Sequence, residues 1–203
     1  MRRRTVCRLA LLLPLLGAGC ASDDAAAPGE TFPPLRYDYL TPLHLNVASI
    51  EIQSNYVPAS GSPAALSPVS PVDALEGMAR DRLRADGSSG KAVFVVDDAS
   101  VAAVPGGLAG SMAVHLDVLT GDGTRAGYAE ARASQTYAGP MDDVPRVTYD
   151  LIRQMMDRMN VEFEYQVKRT LHDWLQETQT APPPAAVQQQ DLGPPAPRPR
   201  PAP

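Results

Sequence analysis

From Leu43 the chain alternates. Leu43, Leu45 and Val47 share one phase, and Ala48, Ile50 and Ile52 take the opposite one. A period of two marks a strand, and a one-residue slip turns every following side chain to the other face. The pattern predicts one strand over Leu43–Tyr56 with a bulge near Val47–Ser49. Val57–Ser70 is a Pro/Ser/Ala/Gly loop. Ser70-Pro71-Val72-Asp73 then opens a helix: Ser70 can cap it, Pro71 fits the first turn, and Asp73 suits the positive end. Val72, Leu75, Ala79 and Leu83 form its apolar stripe, with Met78 beside it. Arg80, Arg82 and Arg84 are expected to face water, and Gly87 to end the helix.

The next segments return to period two. Lys91–Val104 is read as a well-covered strand through Val93-Phe94-Val95-Val96. After the turn at Pro105-Gly106-Gly107, Met112, Val114, Leu116 and Val118 alternate with Ala113, His115, Asp117 and Leu119. Gly121-Asp122-Gly123 signals a hairpin, and Arg125–Tyr137 is its return strand. One face of that strand is Gly127, Ala129, Ala131 and Ala133, small enough for a helix to approach closely. The other face holds Tyr128, Glu130, Arg132 and Ser134.

From Ile152 the period lengthens. Ile152, Met155, Met159, Phe163, Val167, Leu171 and Trp174 recur every three or four residues, predicting a nearly straight helix over Val147–Glu177. At 1.5 Å per residue it would run about 46 Å, against about 33 Å for a ten-residue strand. The helix should therefore overrun the sheet. The overhang would carry Leu171, Trp174 and Leu175, which are candidates for partner binding or, equally, for capping the core. Together the elements predict an α+β fold: an antiparallel sheet of about four strands with two helices packed on one face.

Composition changes the picture at the two ends. Arg2, Arg3, Arg4 and Arg8 precede Leu9-Ala-Leu-Leu-Leu-Pro-Leu-Leu-Gly-Ala-Gly-Cys20. A basic start, a short apolar run and small residues read as a secretory signal over residues 1–19. The run is too short for a membrane span, which needs about 20 apolar residues. Residues 20–34 are small, polar and Pro-broken, and read as a disordered tether. Residues 178–203 hold nine of the 21 prolines and read as a disordered Pro-rich tail. The folded domain is expected over residues 35–177. Aromatic residues are 5% of the chain, so its core must be aliphatic. A net charge of -5 with no dominant basic patch argues against nucleic acid as a partner. Once Cys7 leaves with the signal, no thiol pair remains for a disulfide or a cysteine metal site.

Chemistry is sparse. His44, His115 and His172 each stand alone along the sequence. No HExxH, phosphate loop or G-x-S-x-G elbow occurs. Asp97-Asp98 and Asp142-Asp143 are adjacent carboxylates, more in keeping with solvated turns than with a cation site. His115 and Asp117 share the polar face of their strand. The residues predict no catalytic group, no metal and no cofactor.

The Gly17-Ala18-Gly19-Cys20 ending resembles the lipobox of bacterial lipoproteins, with Gly17 where that family prefers Leu. The resemblance implies that Cys20 becomes the lipidated N-terminus, and that Ala21 after it directs the protein to the outer membrane, facing the periplasm. With the lipidated leader, the element order over Leu43–Leu175 is similar to two families. These are the auxiliary lipoproteins of envelope ABC-type transport systems and the small lipoprotein of the lipopolysaccharide assembly pair. The Trp that the transport auxiliaries often place at the first helix is replaced here by Val72-Asp73-Ala74-Leu75. The resemblance implies a non-catalytic accessory held at the membrane by its lipid anchor and docked on an envelope protein partner, in lipid or polymer transport or assembly. Two other readings compete: a cell-wall or envelope interaction protein using its Pro-rich tail, and a periplasmic hydrolase.

Overall fold

The computed structural model describes residues 31–176. The predicted signal segment, most of the predicted tether including Cys20, and the predicted tail lie outside them. The first phase reversal is not a bulge. The chain forms β1 (Leu43–Leu45), bends through residues 46–48, and starts β2 (Ser49–Ser54) in a different sheet. The change of facing side between Val47 and Ile50 is the chain leaving one sheet for the other.

α1 (Pro71–Arg82) starts as its residues dictate. The Ser70 hydroxyl accepts a hydrogen bond from the Asp73 N–H at 3.2 Å, and Pro71 occupies the first turn. The helix stops earlier than expected. Leu83 is already extended, and β3 (Leu83–Ala85) runs parallel to β1, pairing Leu43 with Leu83 and Leu45 with Ala85. Gly87 lies beyond β3, where a Cβ would stand 2.5 Å from the backbone of Asn46 and Val47. Its missing side chain permits that crossing.

Arg82 corrects the expected helix face. It is fully buried rather than solvated. Leu75, Met78, Ala79 and Arg82 fall at helical spacing on the buried stripe, and the place assigned to Leu83 belongs to Arg82. The guanidinium is satisfied there. Nε and Nη2 donate to the Thr41 carbonyl at 3.2 and 3.1 Å, and Nη1 donates to Asn160 Oδ1 at 3.2 Å. Nη2 also reaches Glu164 Oε2 at 2.5 Å.

The main sheet has the order β2-β4-β5-β6, with β4 (Lys91–Val104), β5 (Gly107–Leu119) and β6 (Arg125–Ala138) joined as an antiparallel meander. β2 departs from the antiparallel expectation. It lies parallel to β4, because α1 and β3 intervene and return the chain to the same end before β4 begins. Pro105-Gly106 forms the two-residue β4–β5 turn, with Gly106 at φ 79° as a turn of this Pro-Gly type requires. The β5–β6 turn is held by Asp122, whose carboxylate accepts from the Thr124 N–H at 3.1 Å, and by Gly123 at φ 85°.

The bulge lies in β4. Val96 pairs with Val114 and Asp98 with Ala113, leaving Asp97 without a partner across the ladder. The extra residue resets the pleat. Ala92, Phe94 and Val96 face the core before it, and Ala99 and Val101 after it. β5 adds Met112, Val114, Leu116 and Val118 to the same face, and β6 adds Ala129, Ala131 and Ala133.

α2 (Val144–Thr170) packs on that face along β6. Asp143 caps it, accepting from the Arg146 N–H at 3.1 Å. Ile152, Met155, Met159, Phe163 and Val167 are fully buried. Phe163 meets Phe94 edge-on with centroids 5.5 Å apart. Leu75 and Met78 of α1 join this one core, so both helices serve a single face of the sheet. The architecture is α+β, with a mixed four-stranded sheet and a small two-stranded one. Phe32 and Pro33, at the end of the predicted tether, are packed on α2: the Phe32 ring lies 5.3 Å from that of Tyr149, whose hydroxyl donates to the Pro33 carbonyl at 3.2 Å.

Two outcomes test this packing. Ala131→Leu should force α2 away from β6 and cost about 1–3 kcal/mol, read by chemical denaturation. Glu164 is held below its ordinary carboxylate value, chiefly by the hydrogen bond from Lys168 and secondarily by Arg82. A depressed carboxylate stabilises the fold above its unfolded value, and this contribution is lost as the pH falls through the folded one. Glu164→Gln should therefore melt lower than the native chain at pH 7. The gap between the two should narrow as the pH is lowered below about 4.5, the ordinary glutamate value, in a pH series of thermal melts.

Candidate functional site

The overhang expected at the end of the long helix is absent. α2 ends at Thr170, and Leu171 closes it with an N–H bond to the Val167 carbonyl at 2.9 Å. A short 3-10 turn over His172–Trp174 then reverses the chain onto β1. The Asn46 N–H donates to the Trp174 carbonyl at 2.7 Å, the Gln176 N–H donates to the His44 carbonyl at 2.8 Å, and Leu175 bridges antiparallel to Leu45. The Gln176 amide donates to the Asp86 carbonyl at 3.0 Å. The end of the predicted partner-binding strip is thus bridged at Leu175 to β1 of the small sheet.

Its three residues differ in access. Leu171 is fully buried, and its Cδ2 lies 2.5 Å from where a Cβ on Gly127 would be. Trp174 packs over the same glycine and is half-buried, as is Leu175. Leu175 also lines a groove of about 360 Å³ with Pro42 and Leu43, rimmed by His44, Lys168 and His172. Two histidines that stand alone in the sequence therefore share one groove. Its polar groups are already engaged. His44 is hydrogen-bonded to Asp86, Lys168 reaches Glu164 at 2.5 Å, and His172 lies 3.1 Å from Asp173.

A second concentration of polar groups covers the sheet face opposite the helices. The bulge residue Asp97 lies 2.5 Å from His115 Nδ1, and Asp117 lies 3.8 Å from Nε2. The Tyr128 ring is 5.7 Å from the imidazole, and its hydroxyl donates to Glu130 at 3.1 Å. Arg132 Nε donates to Glu130 at 2.6 Å. Arg125 reaches Asp117 at 3.3 Å and lies 5.2 Å over the Tyr128 ring. Arg132 holds the Glu130 carboxyl below its ordinary value. Burial and the bond to Glu130 push the Tyr128 phenol up. These side chains surround Val93, Val95 and Ala113, which are buried on this face.

An imidazole oriented by a carboxylate is half of an acid–base dyad. Here both nitrogens of His115 face carboxylates, and the flanking arginines and tyrosine are bonded to Asp117 and Glu130. Among the described residues no group of three or more His, Cys, Asp or Glu side chains could hold a metal ion. Asp143 is a helix cap, and Asp98 accepts from the Ser100 hydroxyl at 3.3 Å. The Asp97–His115 pair eluded the sequence reading, although its signal is present: the inward phase changes between Val96 and Ala99, so one residue between them must bulge. Cys20 lies outside the described residues.

No family model matches the chain, and no curated protein sequence matches it. Solved structures do. A candidate lipoprotein from Caulobacter crescentus CB15 is 16% identical, with a TM-score of 0.25 over 57% of this chain and 90% of that one. A minor lipoprotein from Acinetobacter baumannii is 9% identical, with a TM-score of 0.33 over 60% of this chain and 94% of that one. Likeness at these scores assigns neither fold family nor role.

The C-terminal clasp yields one expectation. Trp174→Ala should cost about 1–3 kcal/mol of stability, less than the 3–5 kcal/mol of a fully buried Trp, because its side chain is only partly buried. Denaturant unfolding measures it, and no loss at all would mean that the clasp does not hold.

Proposed function

We propose that this protein is a lipid-anchored, non-catalytic accessory of the bacterial envelope, serving lipid or polymer transport or assembly. The observation that carries the reading is the arginine-led apolar run closing on Gly17-Ala18-Gly19-Cys20. A leader that ends in this way delivers a cysteine to acylation. By the same resemblance Ala21 sends the product to the outer membrane. Stable anchoring takes two signals, and a multiply acylated cysteine supplies them.

The rest of the chain suits that task. No helix among the described residues is long and apolar enough to cross a membrane, so within them attachment does not come from a helical span. Only eleven residues separate Cys20 from Phe32, which already packs on α2. Such a leash reaches at most about 40 Å. The folded unit would therefore work close to the surface that holds it, with its paired polar face and its clasp groove available to an envelope protein.

Metabolic labelling with a fatty-acid probe, followed by membrane fractionation, tests the reading. The native chain should take up label and sediment with membranes. Cys20→Ala should lose both, and equal labelling of the two would remove the proposal.

A further inference from the structure

We propose that β6 is a self-association edge: it pairs antiparallel with the β6 of a second copy, joining two four-stranded sheets into one of eight.

β6 is an end strand of the main sheet and, at 14 residues, far longer than the opposite end strand β2, which has 6. Backbone groups along an end strand are open to another strand unless something guards them. Neither Pro nor Lys guards Arg125–Ala138; what guards it are its own charges, Arg125, Glu130 and Arg132, and the Arg158 contact at Ser134. Two grooves follow the edge on the side of α2. One lies between Tyr128, Glu130 and Arg132 of β6 and Glu162, Gln166 and Thr170, and the other between Gln135–Tyr137 and the first turns of α2. A second strand can therefore reach the edge along both halves.

The direction of the free groups follows from the pleat. Residues whose side chains face the core send their N–H and C=O groups to β5. Those on the open face send theirs outward. The Ser134 carbonyl shows it: Arg158 Nη1 of α2 reaches it at 3.3 Å from outside the sheet. Tyr128, Glu130 and Arg132 share that parity, so the outward row is 128, 130, 132 and 134. Ser134 keeps a second lone pair for a strand partner.

Charge selects the occupant and the register. Centred on Ala131, self-pairing sets Glu130 opposite the second copy's Arg132, Arg132 opposite its Glu130, and Tyr128 opposite its Ser134. Centring on Glu130 or on Arg132 sets like charges face to face. Centring on Ala129 or Ala133 leaves both charges without an opposite. One register alone is therefore self-complementary, and a twofold axis supplies both ion pairs at once. Within each chain Glu130 and Arg132 already touch, so the pairing forms a closed ring of four charges.

The test uses two full-length copies with different tags, co-expressed. One carries Glu130→Cys and the other Arg132→Cys. Residues directly opposite in this register have Cα atoms about 5.5 Å apart, within reach of a disulfide. Oxidation should give a dimer carrying both tags, in at least about tenfold excess over a control pair of Glu51→Cys with Gln53→Cys on β2. A yield equal to the control overturns the proposal. Charge exchange reads the same register without cysteines. Arg132→Glu alone and Glu130→Arg alone should each cut co-purification of the two tags by about tenfold, and the double exchange should restore it. Co-purification that is indifferent to all three overturns the proposal, as does a photo-crosslinker at position 132 that captures another protein in place of a second copy.

Discussion

A single buried guanidinium holds the two halves of this fold together. Arg82 is the last residue of α1, and its guanidinium bonds to groups from elsewhere in the chain: the Thr41 carbonyl before β1, and Asn160 and Glu164 on α2. Burying a cation is costly unless its hydrogens are taken up, and here carbonyl, amide and carboxylate oxygens take them. The geometry is demanding, because a planar fork accepts few arrangements of partners. α1, the approach to β1 and the middle of α2 are therefore fixed relative to one another. Asn160 completes the junction by donating back to the Met156 carbonyl at 2.9 Å, within its own helix.

From that junction the rest follows in two directions. Ending α1 at Arg82 lets Leu83 leave as β3, which places Leu45 between β3 and the returning Leu175. Fixing α2 over the sheet lays its methionines across β5 and β6. Gly110 shows how close the helix comes: a Cβ there would meet the Met155 thioether at about 2.6 Å. Gly127 does the same for Leu171. Two glycines and three alanines thus set the depth at which α2 lies, from its first buried turn to its last.

The meander was legible because its signals are local. Lys91–Val104 and the hairpin around Gly121–Gly123 are marked by period-two runs and turn residues, and the strands stand where those marks place them. The small face of β6 under α2 was legible for the same reason. What could not be read depends on contacts distant in sequence. The pattern around Val47 is the same for a bulge and for a change of sheet, and only the partner strand distinguishes them. An arginine at Leu75 plus seven looks solvated until Asn160 and Glu164 are brought beside it. Leu171 and Trp174 keep the helical period after the helix has ended, because the turn that stops it still faces Gly127. The site was least legible. His115 and Asp117 were visible as neighbours on one face, but Asp97 joins them only through the bulge. His44 and His172 line one groove only because the chain end folds back.

One property of β6 links the interior to the exterior. A strand that admits a helix at close range must be built from Gly and Ala on that side, and such residues shield little of the backbone beside them. Larger residues at 129, 131 and 133 would lift α2 and screen the edge together. With small ones the helix is close and the inner side chains leave the edge unscreened, apart from the Arg158 bond to the Ser134 carbonyl, so the strand's own control of its edge lies on the opposite face, where Glu130 and Arg132 are. The same alternation that lets α2 seal the core therefore gives those two charges control of what the outer edge can pair with.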